Sequence, residues 1–278
     1  MSSRRTRIIA ALLMAPVAIA GVYYLPTDYL APIVAAILLM GLWEWSALAG
    51  LTEQIPRALY IAGNALMMLA LTWGSGPGLL PFKLISFIGA LWWLVVMLWL
   101  WKFEFAKADT SINRSIKLLA GSLSVIPAWC ALAWLHSKVD SSIGPRWALF
   151  ALAIAWAADS GAYFAGVRYG KTKLAPRISP GKSWEGVIGG VAAILLLAVV
   201  AIPWLGLLWS ELPELLLLTV ITMIFSVIGD LFESLMKRHS GFKDSSSLIP
   251  GHGGLMDRLD SLLAVLPIFV IGKSWLDL

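Results

Sequence analysis

Ionisable residues and glycines are concentrated in one short stretch of an otherwise very apolar sequence. Between Ser234 and Ser261, 28 residues include four cations, three carboxylates, two imidazoles and four glycines. Lys and Arg side chains suit phosphate oxygens, and Asp side chains suit a hard divalent cation such as Mg²⁺. Glycines allow tight turns and a close approach to a ligand. Because ionisable groups near lipid are costly, the stretch predicts a phosphate and metal site.

Two carboxylates that precede this stretch in the sequence lie within apolar spans. At helical spacing, Asp159 shares a face with Tyr163 and Gly166. It is either a hydrogen-bonding residue between helices or a site carboxylate in a polar cavity. Asp230 lies about two turns before the cytoplasmic end of its predicted span and needs a cationic partner, either a metal ion or Lys237.

A second basic loop, Ser179–Gly186, contains the sequence Gly-Lys-Ser around Lys182. It is not a P-loop, because Pro176 stands where the first glycine of that motif is required and no strand is predicted before it. Two interpretations stay open: a cationic turn that contacts phosphate, or a basic loop without a ligand. In the first case we expect the loop to pack near the Ser234–Ser261 stretch.

The composition is that of a polytopic membrane protein. Of its 278 residues, 59% are hydrophobic and 13% are charged, with a mean hydropathy of +0.83, whereas soluble domains carry about 25% charged residues. The single cysteine, Cys130, leaves no disulfide framework and no thiolate metal site. The net charge of +5 does not indicate nucleic-acid binding, because the cations follow a membrane topology.

We therefore predict an all-α polytopic integral membrane protein with about nine transmembrane helices. The apolar segments cover residues 8–25, 29–51, 58–73, 84–101, 116–136, 147–167, 187–209, 214–236 and 259–275. With a cytoplasmic N-terminus, 17 of the 21 Lys and Arg residues lie on the cytoplasmic side, as the positive-inside rule requires. Both site-bearing loops then face the cytosol.

Aromatic residues near the helix ends are expected at the membrane interfaces. Glu44, which lies between two of them, is expected at the inner interface. The tryptophans expected at the interfaces are Trp43, Trp45, Trp73, Trp101, Trp147 and Trp209. Trp92 and Trp93 are expected to pack inside the protein.

The order of motifs resembles the signature of the phosphatidate cytidylyltransferases, or CDP-diacylglycerol synthases. The stretch reads Ser, Lys-Arg, Lys-Asp, Pro-Gly-His-Gly-Gly and Asp-Arg-x-Asp in turn. The segments Asp159–Lys171 and Ser179–Gly186 resemble the upstream blocks of the family, although Ser183 stands where Thr is commoner. The specific match covers about Trp156–Ser261, so we divide the chain into N-terminal membrane helices, residues 1–150, and a C-terminal catalytic membrane region, residues 151–278.

The resemblance implies that CTP and phosphatidate react to give CDP-diacylglycerol and pyrophosphate in phospholipid biosynthesis. It implies an inner or cytoplasmic membrane enzyme whose site faces the cytoplasm. It also implies Mg²⁺ held by Asp230 and Asp257, a second cation such as K⁺, and a homodimer. The expected catalytic residues are Asp230, Asp257, Asp260, Lys182 and Lys243. The expected substrate-binding residues are Asp159, Ser179, Lys182, Lys237, Arg238, Lys243, Asp244, His252, Gly253, Gly254 and Arg258.

The main alternative is a membrane transporter or ion-coupled carrier, in which the intramembrane acids would be ion sites. It predicts internal repeats and broken paired helices, which the sequence does not display. Another membrane phosphotransferase class, the CDP-alcohol phosphotransferases, carries a D-G-x-x-A-R string that is absent here. The intact acids and cations disfavour an inactive scaffold.

Overall fold

The computed structural model describes residues 15–76, 79–137, 143–246, 248 and 253–278. Within these ranges the chain is almost entirely helical. The helices are α1 (Ala15–Tyr24), α2 (Thr27–Leu48), α3 (Gln54–Gly74), α4 (Leu80–Trp101), α5 (Ser111–His136), α6 (Gly144–Tyr169), α7 (Trp184–Leu205), α8 (Leu212–Ser240) and α9 (Met256–Trp275). A 3₁₀ turn, Trp209–Glu211, precedes α8, and a two-stranded hairpin, β1 (Lys173–Ala175) and β2 (Ser179–Ser183), joins α6 to α7.

Seven of the described helices, α2 to α8, are long and apolar enough to cross a membrane. This confirms the all-α, multi-pass membrane class. The first helix is described over ten residues, and the twenty residues of α9 include Asp257, Arg258, Asp260 and Lys273. The number of nine spans and the orientation of the N-terminus therefore stay predictions.

The segment between α6 and α7 is a hairpin and not the flexible turn that the sequence suggested. Its strands are antiparallel, with Lys173 opposite Ser183 and Ala175 opposite Ser179, and the register is irregular between the two pairs. Lys182 consequently stands on a strand, one residue before the N-cap of α7.

Two side chains fix the junction between the hairpin and α7. Glu185 accepts hydrogen bonds from the backbone N–H groups of Lys171 and Thr172, each at 3.1 Å. Ser183 caps α7 by accepting the N–H of Gly186 at 3.2 Å. The hairpin is thus tied to the helix that follows it.

An aromatic cluster sets the position of α8. Phe232 is 1% exposed and lies between Asp230 and Glu233 in the sequence. Four indole rings surround it at centroid distances of 5.3–6.1 Å: those of Trp45 from α2 and of Trp92, Trp93 and Trp99 from α4. Because aromatic side chains bury large areas in defined geometries, this packing fixes which way the neighbouring carboxylates face.

The expectation for the tryptophans was only partly right. Trp73, Trp101 and Trp209 are exposed, as interface anchors are. Trp45 and Trp147 are only 2% and 3% exposed, so they belong to the interior of the protein. In a bundle, a residue near a helix end is covered when a neighbouring helix extends past it.

Helices α8 and α9 approach closely at Gly229. A Cβ atom at this position would lie 2.5 Å from the backbone oxygen of Asp260 and 3.1 Å from Cβ of Ala264. Only a glycine fits this crossing without displacing α9. The crossing therefore brings Asp230, the next residue on α8, close to Asp260.

We predict that Gly229→Val separates α8 from α9 and lowers the free energy of unfolding by about 1–3 kcal/mol, the usual cost of overpacking. The matched control is Gly63→Val on α3, where no atom lies within 4 Å of the added Cβ. Thermal unfolding of the detergent-solubilised protein measures both. Equal shifts in the two variants would show that the crossing does not require glycine.

Candidate functional site

A pocket with mostly apolar walls lies between α6, the hairpin, α7 and α8. Its volume is about 300 Å³, and its lining includes Asp159, Tyr163, Lys182, Val187 and Asp230. The ammonium of Lys182 lies 2.5 Å from Oδ2 of Asp230, and Asp159 interacts electrostatically with both groups. Charged groups between apolar walls are typical of a small-molecule site. The structure thus brings together residues that lie up to 71 positions apart.

Helix α9 contributes two further charges to this cluster. Asp260 interacts electrostatically with Asp230, Asp159 and Lys182, and Arg258 interacts with Asp159. Three carboxylates from three helices therefore face two cations. The sequence left the partner of Asp230 open between a metal ion and Lys237. In the structure the partner is Lys182, because the hairpin folds back over α8.

Lys237 is the centre of a second cluster, farther along α8. Its ammonium lies 2.5 Å from Oε2 of Glu233 and 2.6 Å from Oδ1 of Asp257. Glu233 is 2% exposed, and neither of its carboxylate oxygens has a hydrogen bond of normal geometry within the described residues. Glu233 also interacts electrostatically with Asp260, which links the two clusters.

Asp257 organises the loop that precedes α9. Its Oδ2 accepts the N–H groups of Ser245 at 3.0 Å and Gly254 at 2.8 Å, and lies 3.0 Å from the Ser245 hydroxyl. Gly253 has a φ of +84°, and a Cβ there would lie 2.7 Å from the same carboxylate oxygen. This residue therefore needs glycine both for its backbone conformation and for the close approach.

Glu44 of α2 is buried inside the protein near the end of its helix, and its depth in the membrane stays a prediction. It is 5% exposed and accepts four hydrogen bonds. The donors are the hydroxyls of Ser245 (2.9 Å) and Ser246 (2.5 Å) and the N–H groups of Leu255 (3.0 Å) and Met256 (2.8 Å). The sequence pattern that singled out Asp159, a carboxylate within an apolar span, also applies to Glu44.

The hairpin and the Ser234–Ser261 stretch are in contact, as expected. Nε of Arg238 donates a hydrogen bond to the backbone oxygen of Ile178 at 3.1 Å. Arg238 thus holds the hairpin against the end of α8, which keeps Lys182 over Asp230.

The remaining predicted site residues lie outside the two clusters. Ser179 is on β2 but does not line the pocket. Lys243 and Asp244 are exposed on the loop after α8. His252 lies outside the described residues, so its role stays a prediction.

The sequence profile of the cytidylyltransferase family matches residues 5–274, almost the entire chain. The chain belongs to this family. It is 38% identical over 265 residues to a phosphatidate cytidylyltransferase of Pseudomonas aeruginosa, covering 95% of both chains. It is 34% identical over 280 residues to that of Haemophilus influenzae, and 30% identical over 276 residues to that of Thermotoga maritima. These two alignments cover 95% and 98% of this chain, and 96% of each relative.

The donor groups of these two clusters fit Mg²⁺ in kind, since the ion prefers oxygen ligands. Five carboxylates, those of Asp159, Asp230, Glu233, Asp257 and Asp260, interact with three cations, those of Lys182, Lys237 and Arg258. This excess of acids favours an additional cation. Among the described residues, no three His, Cys, Asp or Glu side chains are grouped to hold a metal ion. Joint metal binding by Asp230 and Asp257 therefore stays a prediction.

We predict that Lys237→Met lowers the free energy of unfolding by about 3–5 kcal/mol, because it leaves two largely buried carboxylates without their cation. The matched control is Lys107→Met. Lys107 also pairs with a glutamate, Glu104 at 3.0 Å, but both side chains are about half exposed or more, so its loss should leave the unfolding midpoint almost unchanged.

Thermal unfolding in detergent measures both variants. Adding Glu233→Gln to Lys237→Met should restore part of the lost stability, because it removes one uncompensated charge. Equal midpoints for Lys237→Met and Lys107→Met would contradict the assignment of Lys237 as the structural counter-ion.

Proposed function

We propose that this protein transfers the cytidylyl group of CTP to phosphatidate, giving CDP-diacylglycerol and pyrophosphate in phospholipid biosynthesis. The observation that carries the proposal is the near full-length similarity to relatives named phosphatidate cytidylyltransferase. The cations around the pocket supply the groups that phosphate substrates need. The names of these relatives do not favour the transporter alternative.

The surroundings of the pocket support a lipid substrate. Tyr163 lines the pocket and is also 66% exposed. Phe164 and Val167 of α6 and Ile188 of α7 are also exposed apolar side chains. A lipid can keep its acyl chains against such a surface while its phosphate reaches Lys182. A soluble nucleotide would enter from the polar end of the bundle.

In the proposed reaction, a phosphate oxygen of phosphatidate forms a bond to the α-phosphorus of CTP. The bond between that phosphorus and the oxygen bridging to the β-phosphorus breaks, and its electrons leave with pyrophosphate. The lipid phosphate is already an anion near neutral pH, so no strong general base is needed. Such reactions depend mainly on positioning and on neutralising charge.

The ion pairs define what the protein's own residues do. Lys182 contacts Asp230 before substrate binds, so a bound phosphate must compete with this carboxylate for the ammonium. Arg258 is in electrostatic reach of the same cluster and would hold a second phosphate group. Lys237 keeps Asp257 in place. Mg²⁺, held by Asp230 and Asp257 with a second cation such as K⁺ nearby, would neutralise phosphate charge.

We further propose nine membrane spans in the inner membrane, with the N-terminus and the site in the cytoplasm, and a homodimer. The topology is supported by the charge asymmetry of the sequence. It is also supported by the contacts between the hairpin, α8 and the loop after α4, since Arg177 pairs with Glu104 at 2.9 Å and His239 lies 2.6 Å from the Phe103 carbonyl oxygen. These contacts bring together loops that the charge rule assigns to one side.

We predict that the purified protein, given labelled CTP, phosphatidate and Mg²⁺, transfers label into the lipid fraction. Lys182→Ala should raise the KM for CTP about tenfold or more, since a charged hydrogen bond contributes about 1.5–3 kcal/mol. The matched control is Lys173→Ala, an exposed lysine on the same hairpin that does not line the pocket. No lipid-soluble label from the wild type would refute the function, and unchanged CTP kinetics in Lys182→Ala would remove the hairpin from the site.

We predict that a cysteine at Gly181 is labelled by a membrane-impermeant thiol reagent only from the cytoplasmic side. The control is Gly76→Cys at the opposite end of the bundle, which should be labelled only from the outside. At both positions no atom lies within 4 Å of the added Cβ, and the buried Cys130 is replaced by Ala as background. Labelling of Gly181→Cys from the outside alone would invert the topology.

A further inference from the structure

The four hydrogen bonds to Glu44 join two halves of the chain that are far apart in sequence. Glu44 lies on α2, and its donors lie 201–212 residues later. Two of them, Ser245 and Ser246, lie in the loop that follows α8. The other two are Leu255, the residue before α9, and Met256, its first residue. One buried carboxylate therefore holds this loop and the start of α9 together.

This arrangement is directly connected to Asp257. The Ser245 hydroxyl lies 2.9 Å from Oε2 of Glu44 and 3.0 Å from Oδ2 of Asp257, so the two carboxylates share its single proton. The N–H of Met256, the residue before Asp257, donates to Glu44. The N-terminal N–H groups of a helix have no partner within the helix, and a carboxylate there is also favoured by the helix dipole.

The packing around this carboxylate requires glycine at position 254. A Cβ on Gly254 would lie 2.5 Å from Oε2 of Glu44 and would also collide with the Ser245 hydroxyl. Glu44 is held in turn by α2, whose next residue, Trp45, is 2% exposed, contacts Phe232 and donates to the backbone oxygen of Lys117 at 2.7 Å. The carboxylate is thus fixed to the bundle core and not to the loop it holds.

We infer that Glu44 is a positioning residue of the transfer reaction, which acts by holding Asp257 and the start of α9 in their functional place. The inference rests on the proposed function. It gives a residue of the N-terminal membrane helices a role in the site, whereas the sequence identified these helices only as apolar segments. Glu44 does not line the pocket, so it acts through Asp257 and not by contact with substrate.

The test is a double-mutant cycle on the full-length protein. Glu44→Gln keeps the size of the side chain but replaces one acceptor oxygen by an NH₂ group. It should lower kcat about tenfold or more in the wild-type background, given the strength of charge-assisted hydrogen bonds. In the Asp257→Asn background it should lower kcat less than about twofold, because residues that act as one unit are not additive.

The matched control is Glu53→Gln, an exposed glutamate before α3, whose kcat should equal that of the wild type. A role confined to general stability would lower kcat by the same factor in both backgrounds, and that result would overturn the inference. An unchanged kcat in Glu44→Gln would also overturn it. If Glu44→Gln does not fold, Ser246→Ala, which removes one donor, takes its place in the cycle.

A second readout does not depend on activity. Without substrate, the amide hydrogens of Leu255 and Met256 should exchange about tenfold faster or more in Glu44→Gln than in Glu53→Gln. Unchanged exchange would overturn the inference. If the wild type transferred no cytidylyl group, the proposed function would fail, whereas this measurement would still decide whether Glu44 fixes the start of α9.

Discussion

The arrangement of the site depends on one constraint, which is that carboxylates inside an apolar bundle must be neutralised. Helix α8 carries Asp230 and Glu233 among apolar residues, and each finds an ammonium at 2.5 Å. Isolated charges would be very costly there. Lys182 belongs to the hairpin, so its ion pair with Asp230 fixes the hairpin against α8. Lys237 also pairs with Asp257 and so fixes the start of α9.

The apolar packing serves this network. Phe232 stands between the two acids of α8 and is enclosed by indole rings from α2 and α4. Gly229 lets α9 approach until Asp260 and Asp230 interact. Rotation of α8 by one residue would move both acids away from their lysines. The core of the N-terminal helices thus sets the geometry of charges carried by the C-terminal helices.

The sequence predicted the residues of the site better than their partners. Asp159 and Asp230 could be found because a carboxylate in an apolar span is a strong signal, and Asp159, Tyr163 and Gly166 line one pocket as their helical spacing indicated. The pairing of Lys182 with Asp230 could not be found, since it depends on how the chain folds back over 48 positions. Positive charge alone does not identify a partner.

The fold was predicted in class but not in detail. Hydropathy identified the apolar helices from their composition. The hairpin was missed because its second strand reads Ser-Pro-Gly-Lys-Ser, which has neither alternation nor strand-forming residues. The hydrogen-bond partners of Glu44 could not be found from the sequence. Its four donors come from a loop about 200 residues away, which no local pattern reveals.

Central to the proposed mechanism is that the Lys182 ammonium neutralises Asp230 only until CTP and the proposed Mg²⁺ bind. A structure determined with bound CTP and Mg²⁺ tests it most directly. The account predicts that Lys182 leaves Asp230 for a phosphate oxygen, and that the carboxylates of Asp230 and Asp257 both contact the metal ion. A complex in which Lys182 still pairs with Asp230, or in which the metal ion contacts neither carboxylate, would contradict it.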